Sequence, residues 1–273
     1  MLILIMKGGI LTMNTETLET NFRELKEKHN IFDINCYIPA PDESFLETVP
    51  AEPEALLDEG INRLVLADKD CLKGDVISAN ESLIKRVSSN SAFFAAPVIA
   101  PEMNLGGKNF GSYLSYLIDN KSVILRVFPQ ALRHSLKKWQ MGDIFRSIER
   151  RRIPLMIWHT HTDFDTVAEI LESYPGLPVI LEGSDQKIIY YTRYVIGLCE
   201  KYKNLYLEMH NFTQYGFLQY ALKNIGCERL LFGSFSPYNN MNGVLNMIFA
   251  NTDDSGAEQI LSKNFERLMS EII

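Results

Sequence analysis

Short apolar runs alternate with stretches of helical spacing along almost the whole chain. The runs 31–38 (IFDINCYI), 61–67 (INRLVLA), 92–100 (AFFAAPVIA), 121–128 (KSVILRVF), 153–159 (IPLMIWH), 178–182 (PVILE), 204–210 (NLYLEMH) and 228–235 (ERLLFGSF) read as strands. Their apolar residues are near-continuous, as in parallel strands covered on both faces. Helices are expected near 53–59, 75–89, 110–119, 139–151, 164–173, 186–202, 213–224 and 256–271. Several strands open just after a breaker: Gly60, Pro178 and Gly226. Upstream, Leu18, Phe22 and Leu25 recur at helical spacing, with acids early and lysines late. That pattern predicts a lead-in helix whose charges match its dipole.

Eight strands, each followed by a helix, is the count of an α/β chain folded as a single (β/α)8 TIM barrel. The expected division is an N-terminal extension and lead-in helix over 1–30 and the barrel over 31–273. An open doubly wound sheet is the alternative. It would want a glycine-rich phosphate turn after the first strand, where the chain instead has Pro39-Ala-Pro41.

Composition narrows the partners. The 273 residues are 46% hydrophobic, enough for one full core. Twenty-seven Lys and Arg against 34 Asp and Glu leave a net charge of −7, which argues against a nucleic-acid or anionic-membrane partner. Cys36, Cys71, Cys199 and Cys227 form no CxxC pair, so a reduced, cytoplasmic chain is expected. The opening MLILIMKGGI is too short an apolar run to span a bilayer and lacks a basic n-region, and Met13 is a candidate initiator.

In such a barrel the chemistry sits at the C-terminal ends of the strands. Those ends carry Asp33, Asn35 and Tyr37 (strand one), Arg126 (four), His159 and His161 (five), Glu182 (six), Glu208 and His210 (seven), and Ser234 and Phe235 (eight). Three of the five histidines therefore fall on two strand ends.

The chain resembles the amidohydrolase-related family, the metal-dependent hydrolases and decarboxylases of the amidohydrolase superfamily. The resemblance runs from about residue 31 to 270 through IFDINCY, LLDEGINRLVLAD, IPLMIWHTH, PGLPVILEG, NLYLEMH, ERLLFGSFSPY and ILSKNFERLM, the last including Asn264. It implies a metal centre built from His-x-His on strand one, single histidines on strands five and six, and an aspartate on strand eight. Here those positions read Asn35 and Tyr37, His159, Glu182 and Phe235. Asn is a weak ligand, Tyr ligates only when ionised and Phe cannot, so the usual metal centre is expected to be largely lost.

The resemblance and the strand ends together point to a protein acting on a small, carboxylate-bearing metabolite by hydrolase or decarboxylase chemistry. His159, Glu182, Glu208 and Asp33 are the candidate catalytic residues. Arg126, Asn35, Tyr37, His210 and Ser234 are the candidate substrate contacts, with Arg126 suited to a bidentate grip on a carboxylate. For Arg126 an internal ion pair with Glu182, Glu208 or Asp33 is the alternative. On an extended strand end His159 and His161 would project to one side, and with Glu182 on the next strand and Glu208 and His210 on the one after they suggest a relocated site for one divalent Zn, Fe or Mn, His159, His161 and Glu182 foremost, the alternative being no metal. A catalytically silent relative that binds a metabolite or stabilises a partner is the competing function. Tyr190, Tyr191 and Tyr194 crowd one helix and suggest a homodimer contact.

Overall fold

A computed structural model describes residues 2–273 except 7–8, 14, 39–51, 74, 107–108, 184–190, 213 and 215, with side chains from Glu19 onward. Its eight barrel strands are β1 (Phe32–Ile38), β2 (Arg63–Asp68), β3 (Phe93–Ala95), β4 (Leu125–Val127), β5 (Leu155–Trp158), β6 (Val179–Glu182), β7 (Leu205–Glu208) and β8 (Leu230–Leu231). All neighbours among them run parallel, in a three-stranded sheet β1-β2-β3 and a five-stranded sheet β4-β5-β6-β7-β8.

Regular ladders do not continue across the two seams, which are instead stitched by isolated parallel bridges. Ala95 pairs with Ser122 and Val98 with Arg126 on one side, and Cys36 pairs with Ser236 on the other. Backbone hydrogen bonds follow the bridges: Arg126 N donates to Pro97 O (2.9 Å), Ile34 N to Phe232 O (3.1 Å) and Tyr37 N to Ser236 O (2.8 Å). The fold is the expected (β/α)8 class.

Strands β5, β6 and β7 are wholly buried, as their apolar runs require. Helices follow over Pro53–Asp58, Val76–Ser88, Phe110–Asp119, Lys138–Arg151, Phe164–Ser173, Thr192–Lys201 and Phe217–Ile225. Asp75, Asn109 and Asp163 cap three of them by accepting from Ser78 N, Ser112 N and Thr166 N. The lead-in helix spans Thr15–Lys28. Beyond it, His29 stacks on Phe249 with ring centres 5.6 Å apart.

Three features depart from the sequence reading. Residues Leu2–Met6 and Gly9–Met13 pair antiparallel, although neither run was expected to be a strand. A helix at Met241–Asn251 is not among those expected from the sequence; it buries Met241, Val244, Leu245 and Ile248 along one face. The closing segment expected as one helix is three pieces, Asp254–Glu258, a π-helical turn at Gln259–Lys263 and Asn264–Ser270. The π turn inserts a residue and re-aims Asn264, whose Nδ2 donates to Cys227 O (2.7 Å) and Leu230 O (2.9 Å) and pins the tail under β8. All four cysteines are free. No helix among the described residues is long and apolar enough to cross a membrane.

Candidate functional site

Strand β1 carries a register shift between Asp33 and Cys36 where it pairs with β2. Such an irregularity turns side chains off the regular alternation. Here it accompanies two hydrogen-bonded groups, one around Asp33 and one around Asn35.

The Asp33 group ties β1 to the loop after β8. Oδ1 of Asp33 accepts from Asn35 N and Ser234 N, each at 2.9 Å, and Oδ2 accepts from the Ser234 hydroxyl. Ser234 Oγ in turn accepts from Ser236 N at 2.9 Å. Burial pushes the Asp33 carboxyl up to about 6, more than the three donors pull it down.

The Asn35 group gathers residues from four strands or strand ends. Asn35 Nδ2 donates to Glu182 Oε1 (2.8 Å) and Glu208 Oε2 (3.2 Å), and lies 3.4 Å from His210 Nδ1. Arg126 Nη2 donates to Asn35 Oδ1 (2.8 Å), while Nη1 donates to Glu182 Oε2 and to the Tyr37 hydroxyl, both at 2.6 Å. His210 Nδ1 and N both engage the Glu208 carboxylate. The close Nδ1 contact assigns a proton there, donated to Glu208. Asn35, Tyr37, Glu182, Glu208 and His210 have no solvent exposure, and Arg126 has almost none. Burial pulls the guanidinium down, yet Glu182 and Tyr37 hold it above its ordinary value. Burial raises the Tyr37 phenol well above its usual range, keeping it a neutral hydroxyl. Arg126 Nε is the network's one buried side-chain nitrogen or oxygen without a hydrogen-bond partner among the described residues.

Aromatic rings roof this network. Phe235, held at a φ of 56°, stacks on His210 with centroids 4.4 Å apart and planes 10° from parallel. Its edge meets Tyr37, and Trp158 Nε1 donates to the Tyr37 hydroxyl at 3.1 Å. Gly233 leaves the space that the Glu208 carboxylate fills: a Cβ there would fall 2.7 Å from Asn35 Cβ and closer still to Glu208.

Beyond Trp158 a cleft of about 640 Å³ opens, lined among others by Gln130, His159, Thr160, His161, Phe164 and Tyr191. His159 belongs to both regions, since it lines the cleft while its Nδ1 lies 3.3 Å from the Glu182 carbonyl oxygen. His161 does not join the buried network; its ring packs edge-on against Trp158 at 4.8 Å.

The structure thus gathers Asn35, Tyr37, Arg126, Glu182, Glu208 and His210 into one network and Asp33 and Ser234 into a second beside it. Of the residues expected to share a relocated ion site, Glu182, Glu208 and His210 come together, while His159 and His161 stand apart from that group. Residues 159–161 form a 3₁₀ turn rather than an extended strand end, so positions i and i+2 no longer share a side. Among the described residues the three donors that approach one another, within 4.8 Å, are Glu182, Glu208 and His210. One imidazole and two carboxylates suit a divalent first-row ion. The Asn35 amide nitrogen lies within hydrogen-bond reach of both carboxylates, so an ion placed among these donors would have to displace it.

For Arg126 the geometry is the internal ion pair with Glu182. Tyr191 and Tyr194 are exposed and flank Phe164, with Tyr194 stacked on it; Tyr190 lies outside the described residues. Trp158 and Gly233 escaped the sequence reading. The signals were present, a Trp immediately before the strand-five histidine and a Gly opening the strand-eight motif.

No protein-family model and no curated protein matches the chain. Solved structures do. A 5-carboxyvanillate decarboxylase from Novosphingobium aromaticivorans, with bound manganese and a methoxy-hydroxy-nitrobenzoic acid, is similar at a TM-score of 0.71 and 11% identity over 89% of this chain and 97% of that one. A 2,6-dihydroxybenzoate decarboxylase from Rhizobium is similar at 0.65 and 14%, over 89% and 99%. An amidohydrolase II is similar at 0.62 and 14%, over 88% and 100%. The likeness to these structures holds at the level of the fold, and the chain is a (β/α)8 TIM barrel.

Proposed function

We propose that this chain acts on a small, carboxylate-bearing metabolite held in the cleft beyond Trp158, by hydrolase- or decarboxylase-type chemistry that draws on no metal centre. The observation that carries this reading is His159, which lines the cleft and at the same time touches the buried Glu182 strand end. A neutral imidazole that donates Nδ1–H to the Glu182 carbonyl has Nε2 as its acceptor, the form suited to acid–base work. Trp158, Phe164 and Tyr191 offer flat walls for a planar body, and Gln130, Thr160 and Thr162 offer polar contacts. The decarboxylases of like fold, named for aromatic acids, support this ligand class by analogy. In a decarboxylation, His159 protonated at Nε2 would pass that proton to the carbon bearing the carboxylate and return to the neutral imidazole; as carbon dioxide leaves, the electron pair of the broken C–C bond stays with the substrate. In this reading Arg126, Asn35 and Tyr37 hold the glutamates rather than the substrate.

A second reading, a metabolite-binding protein without turnover, is favoured by one observation: both terminal nitrogens of Arg126 are spent on protein partners. The test is product analysis by mass spectrometry after incubation with hydroxybenzoates and aliphatic acids, with and without chelator. Turnover that survives the chelator and falls by about 10²-fold or more in His159→Gln is expected. Binding without turnover would select the second reading. Turnover that appears only with added manganese would overturn the metal-independent claim.

A further inference from the structure

Two buried carboxylates, Glu182 and Glu208, share the barrel centre with His210, and their donor atoms lie within 4.8 Å of one another. Buried carboxylates demand a compensating cation, and this donor set is one that a divalent ion would accept. We infer that the Arg126 guanidinium and the Asn35 amide together take the place of an ion in a latent three-donor site. The inference rests on the metal-independent reading above and says what replaced the metal.

Two contacts carry it. The Asn35 nitrogen stands 2.8 Å from Glu182 Oε1, 3.2 Å from Glu208 Oε2 and 3.4 Å from His210 Nδ1, occupying the point on which the three donors converge. Its orientation is set by Arg126, because Nη2 donates to Asn35 Oδ1 at 2.8 Å. A flipped amide would face the guanidinium with its own N–H groups and turn its oxygen toward two carboxylates. The charge comes from the same Arg126, whose Nη1 takes the second Glu182 oxygen at 2.6 Å. One cation fixed to β4 and one neutral donor fixed to β1 thus satisfy what a free ion would otherwise hold. Glu208 takes its other hydrogen bonds from His210, whose ring is stacked on Phe235.

If this is so, disabling the substitutes creates a metal site. Asn35→Asp exchanges the inward N–H for a carboxylate oxygen, and Arg126→Gln removes the resident cation. Each variant and the wild-type chain would be stripped with chelator, dialysed against manganese or zinc, and measured for bound metal and for Tm with and without the ion. The expected result is no ion above background and no Tm shift for the wild type. Asn35→Asp should hold close to one ion per chain and rise by about 5–10 °C at an ion concentration ~100-fold above Kd. Adding Glu208→Gln to it should abolish both effects. Should Arg126→Gln not fold, Asn35→Asp decides alone, because Asp is nearly isosteric with Asn. A wild-type chain that binds one ion through Glu208 would overturn the inference together with the metal-independent reading. A metal-free wild type whose folded variants bind no more than it does would overturn the inference alone.

Discussion

Replacing Arg126 by methionine is expected to cost about 3–5 kcal/mol of folding stability, because it strands Glu182 as an uncompensated buried charge. The side chain is 1% exposed and supplies three hydrogen bonds, to Glu182, Tyr37 and Asn35. Methionine fills much of the volume but returns none of them. At roughly 2–4 °C per kcal/mol for a chain of this size, the loss reads as a Tm lower by about 6–20 °C. The double variant Arg126→Met with Glu182→Met removes both charges, while Tyr37 keeps its bond from Trp158 and Asn35 its bond to Glu208. It should be more stable than Arg126→Met alone, since a missing partner costs more than a missing pair. Equilibrium unfolding in denaturant measures both. A single variant within about 1 kcal/mol of wild type would mean that the guanidinium compensates nothing.

Asp33→Asn should act in the opposite direction at neutral pH. The folded carboxyl titrates near 6, above the ordinary value of 3.8. Between those values the folded chain keeps a proton that the unfolded chain has shed, so stability falls as pH rises through that window. Above it the accumulated cost is about 3 kcal/mol, to an order of magnitude. Asparagine carries no such charge. Its Oδ1 can keep the two 2.9 Å bonds from Asn35 N and Ser234 N, and its NH₂ can donate to Ser234 Oγ in place of the hydroxyl bond. Stability at pH 7 should therefore rise by about 1–3 kcal/mol, with little gain near pH 4. Urea unfolding of both proteins from pH 4 to 8 checks the slope. A variant less stable at pH 7, with the wild-type pH dependence retained, would remove Asp33 as the source.

Much of the fold can be read from the chain because a parallel barrel writes itself as buried runs punctuated by breakers. Gly60 and Gly226, read as such breakers, adopt φ of 98° and 73°, which a side chain would resist. The Met241–Asn251 helix was harder to see: Asn239, Asn240 and Gly243 give the segment a loop-like composition, and its buried positions show only once Met241, Val244, Leu245 and Ile248 are spaced on one face. The site was legible as an inventory of strand-end residues and much less so as an arrangement. That Arg126 meets Glu182, 56 residues away, depends on β5 lying between β4 and β6. That Asn35 turns its nitrogen toward the glutamates depends on Arg126 holding its oxygen. His159 and His161 illustrate the limit from the other side. Their spacing suits a shared face on a strand, but the backbone leaves the strand at Trp158, and one ring reaches the buried network while the other joins the rim.

Isothermal titration calorimetry of the chelator-treated chain against hydroxybenzoates and aliphatic carboxylates tests the central claim most directly, since both readings of the function place the ligand in the cleft beside His159. Saturable binding of at least one carboxylate without added metal is expected, weakened in His159→Gln by about tenfold or more, which is about 1.4 kcal/mol. Binding that depends on manganese, or that His159→Gln leaves unchanged, would contradict it.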